Sequence, residues 1–372
     1  MALSRIDTTN MIEDVPQSKL DNNINFRNII INGDMSIAQR GTSTASLSSG
    51  ANFGATDRFK LYGVTFGTWT MSQSTDVPTG QGFAKSLKMD CTTANGSLSA
   101  DSQAQISQGI EGQNLQYLKK GTSSAESLTW SFWTKSNKTG TYICQIRDID
   151  NSRSISKSYT ISSANTWEKK IITFPGDTTG ALDNDNGKSF EIRWWLVAGT
   201  NFTSGSLATS WGSETNANNA VGQVNLADST SNEWYITGVQ LEAGTTASDF
   251  EFLPHDINLA RCQRYCFAIP YAGGDTYHGV MQGFFPNTTL FIGDIPLPTR
   301  MRDSASLTTS GSFGLAGTTD YSASSFTLEN VSLENAHSVE FRCTTSGVTA
   351  GQAARFRNQN DASAKFILTS EL

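Results

Sequence analysis

The sequence predicts an all-β protein: a jelly-roll β-sandwich, a short connecting helix and a smaller C-terminal β domain. Three observations carry this. Short apolar runs of period two recur along the chain, separated by Gly, Asn, Ser and Thr, which is how double-sheet sandwiches and jelly rolls read. Charged residues make up 16% of the 372 positions, against roughly 25% in ordinary soluble domains. The polar residues that replace them bond their own backbone and so favour turns over helix. Finally, 20 Phe and 8 Trp supply enough apolar area for more than one core.

Residues 1–27 are polar and mixed, with Pro16 and an Asp21-Asn22-Asn23 turn signal. They read as an N-terminal attachment arm or linker with a short helical stretch at Thr9–Asp14; a frayed terminus is the alternative. The sandwich is expected over 28–254. It starts with the β-branched run Asn28-Ile29-Ile30-Ile31-Asn32 and continues through Phe59–Val64, Thr68–Met71, Ser86–Cys91, Ala104–Gln108 and Leu115–Leu118. The clearest strands are Leu128–Trp133, Thr141–Ile146, Ser158–Ile161, Trp167–Phe174, Phe190–Val197 and Trp234–Leu241. Residues 255–264 form the helix candidate, with Asp256 placed to cap it and Ile257, Leu259 and Ala260 on an apolar side. Strands resume in the C-terminal β domain, 265–372, at Tyr265–Ile269, Val280–Phe285, Thr289–Ile292, Val339–Cys343 and Lys365–Thr369.

Composition excludes some functions. The net charge is −7 with no Lys/Arg cluster, which argues against nucleic acid as a partner, because phosphate neutralisation supplies most of that affinity. No run of about 18 apolar residues exists, so membrane insertion is not expected. The first ten residues lack the apolar core of a secretory signal. Five widely spread Cys argue for reduced thiols in a cytoplasm rather than a disulfide framework. Cys262 and Cys266 are spaced to share a helix face as a buried thiol pair, with His255 the nearest further metal ligand.

Two blocks carry a family resemblance. One is Gly238-Val239-Gln240-Leu241-Glu242-Ala243-Gly244, followed by Asp249-Phe250-Glu251-Phe252 and Ala260-Arg261-Cys262-Gln263-Arg264-Tyr265. The other is Asn32-Gly33-Asp34-Met35-Ser36-Ile37-Ala38-Gln39-Arg40-Gly41, followed by Asp57-Arg58-Phe59. Together they resemble segments of tailed-phage tail fibres and other receptor-binding virion proteins, with Phe59 where Trp is usual and Cys266 where a second aromatic is common. The likeness brackets residues 32–266. It implies a carbohydrate-module-like sandwich and a virion location, with assembly in the host cytoplasm and release by lysis. It also implies a homotrimer, joined to other tail or baseplate proteins by its N-terminal arm. It implies no reaction.

Catalytic chemistry is thinly represented. The three His, at 255, 278 and 337, sit in no hydrolase or metalloprotease motif. Glycoside hydrolysis needs two carboxylates across a cleft; Asp148/Asp150, Asp183/Asp185 and Glu329/Glu334 are the visible pairs, and solvated loop acids are the simpler reading. Asp183-Asn184-Asp185-Asn186-Gly187 resembles the front of a calcium loop, but the acid of an EF-hand would fall at Trp194. A structural Ca²⁺ held by Asp183 and Asp185 stands beside a plain Asn/Asp turn, and no other cofactor is indicated.

Saccharides stack on exposed aromatic faces and take directional bonds from amides, acids or Arg. Alternation along 190–197 puts Ile192, Trp194 and Leu196 on one face and Arg193, Trp195 and Val197 on the other. The second set suits a ligand face or a subunit contact. Trp133 lies opposite Trp130 and Phe132, and Trp211 falls in a Ser/Gly-rich loop with no evident core role. Tyr271, Tyr277 and His278 flank Gly273-Gly274-Asp275. For each of these residues, core or interface packing is the competing reading. The function expected is a non-enzymatic tail fibre or adhesin that binds host surface polysaccharide. The alternatives are a non-binding structural virion protein (decoration, collar or baseplate-associated) and a polysaccharide depolymerase or esterase.

Overall fold

The computed structural model describes residues 26–269, 276–329 and 336–372. Thirteen strands build the N-terminal half: β1 (Ser43–Leu47), β2 (Gly50–Asn52), β3 (Lys60–Val64), β4 (Thr68–Ser74), β5 (Ser86–Thr93), β6 (Gln103–Glu111), β7 (Leu128–Ser136), β8 (Gly140–Asp148), β9 (Arg153–Ile161), β10 (Glu168–Phe174), β11 (Lys188–Ala198), β12 (Gly212–Ser213) and β13 (Glu233–Ala243). They form two antiparallel sheets, β1-β4-β5-β13-β7-β10 and β12-β9-β8-β11-β6-β3-β2. Alternate side chains of each sheet point inward. Trp69, Trp130, Phe132 and Trp234 from the first sheet meet Phe190, Ile192 and Trp194 from the second. Trp130 and Trp194 pack edge-on with ring centroids 4.5 Å apart, the geometry aromatic quadrupoles favour. The chain is thus an all-β protein with a sandwich at its N-terminal side.

After a nine-residue helix, His255–Gln263, the chain forms two further antiparallel sheets. Their strands are β14 (Cys266–Ile269), β15 (Gly279–Phe284), β16 (Leu290–Pro296), β17 (Ser306–Ser310), β18 (Phe313–Ala316), β19 (Asp320–Ser322), β20 (Ser324–Glu329), β21 (Ser338–Thr344), β22 (Ala353–Asn358) and β23 (Lys365–Thr369). The orders are β14-β23-β17 and β19-β18-β22-β15-β16-β21-β20. Their shared core is phenylalanine: Phe291, Phe341, Phe356 and Phe366 are buried, and Phe313 stacks on Phe356 at 5.2 Å.

Several local expectations need correction. Asn28–Asn32 is not a strand, although Ile29–Ile31 are buried. Asn side chains take over the backbone pairing there: Asn28 Oδ1 accepts from Ile30 N and Leu241 N, and Asn32 bonds Ile37 through both its amide atoms. Leu115–Leu118 lies in 3-10 turns, not a strand. Pro254 holds the cap position of the 255–263 helix with no side-chain cap bond, and Asp256 lies inside its first turn. That helix ends before Cys266, which belongs to β14, so the two buried thiols do not share a helix face.

The blocks that carry the fibre resemblance converge on the seam between the two halves. Gly33 presses on β13 so closely that a Cβ would sit 2.1 Å from the Val239 carbonyl oxygen, and Gly238 takes φ +60° at a register shift between Thr237 and Gln240. Both positions therefore require glycine. Gln39 donates to Asp57 and to the Cys266 carbonyl. Arg58 lies 3.4 Å from the Tyr265 ring centroid and ion-pairs with Glu371, which also takes Arg40 at 2.9 Å. Arg264 grips buried Glu111 through two bonds of 2.7 Å, and the Tyr265 hydroxyl donates to the same carboxylate. Burial works against the Glu111 charge, yet Arg264 and Tyr265 hold its carboxyl below the ordinary value.

Candidate functional site

The sequence candidates scatter over the molecule. Trp195 is fully buried, so its proposed role as a surface contact is corrected. A register shift between Trp195 and Val197 turns Val197 back into the main core, and the segment carrying Phe202 and Ala220 folds over Trp195. Arg193 stays on the outer face of the second sheet, in a closed ion cluster. Burial disfavours the Glu191 charge, but Arg193, Lys188, Lys60 and Arg147 surround it and hold its carboxyl well below the carboxylate range. Trp211 has a packing role after all: it stacks on Phe190 at 6.0 Å and donates its Nε1 proton to the Pro175 carbonyl.

Trp133 is half-buried on the outer face of the first sheet, opposite Lys169 and Thr237. One row along, Lys135 stands 4.4 Å from the Tyr235 ring centroid and 5.6 Å from that of Trp167. Asp183 and Asp185 are exposed, and the Asp185 side chain accepts from the Gly187 amide, the geometry of an ordinary Asx turn. No group of three or more metal-ligating side chains occurs among the described residues. Asp148 is buried and ion-paired to Lys120 at 2.6 Å, not a solvated loop acid. Tyr271, Glu334, the expected helical stretch at Thr9–Asp14 and the rest of the arm up to residue 25 lie outside the described residues.

Tyr277 and His278 do come together with other recognition groups. They lead into β15, which pairs with β22 so that Gln282 faces Arg355 across the ladder. Tyr277, His278, Gln282 and Arg355 line an open hollow of about 370 Å³. A second hollow of about 370 Å³ shares Gln282 and Arg355 and continues past Ala353 to Gly317 and Thr318 on the loop after β18. Phe284, two residues beyond Gln282 and therefore on the same face, is 48% exposed; Tyr277 is 39% exposed. The Arg357 guanidinium lies over the Tyr277 ring at 4.5 Å and ion-pairs with Asp320. Arg355 is exposed and makes no ion pair with any described residue. The hollow thus offers the edge and uncovered face of the Tyr277 ring beside an amide and the exposed Arg355 guanidinium, and Phe284 stands exposed further along the same strand face.

Sequence reasoning missed Gln282, Phe284 and Arg355. Alternation along Gly279–Phe284 puts Gln282 and Phe284 on one face, and that was the one available signal. Arg355 reaches the site only through the β15–β22 pairing.

No family model matches the chain, and no curated protein matches it. Among solved structures it is similar to the enzymatically active domain of tailspike protein 4 of bacteriophage CBA120, at 16% identity and TM-score 0.31, covering 58% of this chain and 21% of that one. It is also similar to TmCBM61, solved with beta-1,4-galactotriose, at 10% identity and TM-score 0.31, covering 58% and 99% of the two chains. A putative sugar binding protein from Bacteroides thetaiotaomicron aligns at 12% identity and TM-score 0.32, with 58% and 99% covered. The chain therefore spans about a fifth of the tailspike it matches. Values this low add nothing to what the sheets themselves show.

Proposed function

We propose that this chain is a non-enzymatic virion adhesin, a tail fibre of a tailed phage, that holds host surface polysaccharide on the outer face of its C-terminal sheet. The observation that carries the reading is Tyr277, Gln282 and Arg355 lining one open hollow, with exposed Phe284 two residues from Gln282 on the same strand face. Rings stack on the C–H faces of sugars, while a planar amide and a guanidinium match hydroxyl pairs. Three copies in a homotrimer, fixed to tail or baseplate proteins by the arm at 1–27, would multiply a weak single-site affinity through effective concentration. The chain's acidity and lack of a basic cluster speak for saccharide over nucleic acid as the partner.

The test is calorimetric titration of the purified protein with isolated host polysaccharide, with light-scattering mass on the same sample. Tyr277→Ala and Arg355→Ala should each weaken binding about tenfold or more, as expected for a charge-assisted bond or a stacked ring, with the protein still folded in the same thermal scan. Tyr277→Ala also loses its contact with Arg357 and so lowers the midpoint slightly. Absence of saturable binding, or binding indifferent to both changes, overturns the reading. A structural, non-binding virion protein is the second reading. Half-exposed Ile171 and Phe284 favour it, because both could serve as subunit contacts.

A further inference from the structure

A separate cavity of about 620 Å³ opens at the seam between the sandwich and the 255–263 helix. Its walls include Phe26 and Tyr117, 59% and 50% exposed, Gln113 and Asn114 on a 3-10 turn, and Arg261 of the helix with Arg264 at its C-cap, three positions on. The two arginines differ in one respect. Arg264 is neutralised by Glu111 through paired bonds. Arg261 has no ion pair among the described residues; its Nη2 donates to the Asn28 carbonyl oxygen at 3.4 Å, which is long. Burial lowers the Arg261 pKa, and the opposing influence of Cys262, Tyr265 and Glu251 does not restore it. The Glu251 carboxylate acts on Arg261 from beyond bonding distance and is itself engaged by the Phe26 and Asn28 backbone amides. A half-buried guanidinium without a direct ion pair is unusual, because desolvated cations are ordinarily paired.

We infer that this cavity is a second ligand site, for a saccharide that carries an anionic group, carboxylate or phosphate. Arg261 receives the anion, the Tyr117 ring takes the sugar face, and the Asn114 amide and the Gln113 amide oxygen bond its hydroxyls, the Gln113 nitrogen being held by Glu111. The site shares no residue with the C-terminal groove and stands or falls independently of it.

The experiment uses the full-length protein carrying Tyr277→Ala and Arg355→Ala, so that the groove is silent. Saturation-transfer NMR and calorimetry are run with glucuronate, glucose 6-phosphate and glucose. The expected result is binding of one or both anionic sugars at least tenfold tighter than glucose, weakened tenfold or more by Arg261→Gln and by Tyr117→Ala. Glucuronate alone identifies a carboxylate ligand and glucose 6-phosphate alone a phosphate; either supports the site. No binding of either anion, equal binding of glucose, or binding unaffected by Tyr117→Ala overturns it. Tyr117 is half-exposed, so its variant keeps the test decisive if Arg261→Gln fails to fold.

Discussion

Replacing Glu111 with Gln tests the seam most directly. The Glu111 carboxylate is fully buried and receives two bonds of 2.7 Å from Arg264, one from the Tyr265 hydroxyl and one from Gln113. Glutamine keeps the shape but turns one acceptor oxygen into a donor that faces donors, and it leaves the Arg264 charge without its partner. Removing one member of a buried pair costs about 3–5 kcal/mol. The lower end applies, because 26% of the Arg264 side chain remains in solvent. About 3 kcal/mol corresponds to a fall of roughly 6–12 °C in the midpoint of a domain of 150–250 residues. Differential scanning calorimetry should show that fall, or two transitions where the parent shows one. The effect has a definite pH dependence. Because the folded pKa of Glu111 is depressed, its contribution is complete above the unfolded value, about 4.3, and is lost as pH falls through the folded one. The variant and parent should therefore converge in acid. A loss below about 1 kcal/mol at pH 7, or an equal loss in acid, would refute the reasoning.

Two further outcomes follow from burial. Trp195→Ala should lose about 3–5 kcal/mol of stability and leave polysaccharide affinity unchanged, since its ring is enclosed with Ile143, Phe202 and Ala220; chemical denaturation and titration on one sample check both, and lost affinity at full stability would contradict the enclosure. All five thiols are buried, and burial raises their pKa, to about 11 for Cys91 and about 12 for Cys343. Because the thiolate is the reactive form, a thiol reagent at pH 8 should label none of them in the folded protein and all of them in denaturant. Fast stoichiometric labelling of any Cys in the folded protein would count against this.

The sandwich core could be read from the chain because alternation alone separates Trp130 and Phe132 from Trp133, and Ile192 and Trp194 from Arg193. The same rule failed at Trp195, where a register shift and a covering segment reversed the outcome. Neither of those is local. Ile29–Ile31 has strand composition, but flanking asparagines bond the backbone in place of a partner strand. In the C-terminal half, Ser306–Ser310, Ser324–Glu329 and Ala353–Asn358 pass as loops because Ser, Ala and Arg dominate them, yet long-range pairing makes them strands. The candidate site suffered most. His278 and Tyr277 stood out as loop aromatics, whereas Arg355 joins them from more than seventy positions away, through a ladder that no single segment announces.

The seam also has a mechanical consequence. The C-terminal half is fastened to the sandwich at both ends of its own chain: Arg264 and Tyr265 hold Glu111 where it begins, and Glu371 holds Arg40 and Arg58 where it returns. A third tie runs between Arg302 and Asn186. Two anchor points rather than one remove the hinge that a lone linker would leave. Pulling the two halves apart therefore requires breaking the Arg264–Glu111 and Glu371 contacts together with the Arg302–Asn186 tie, not merely extending a linker.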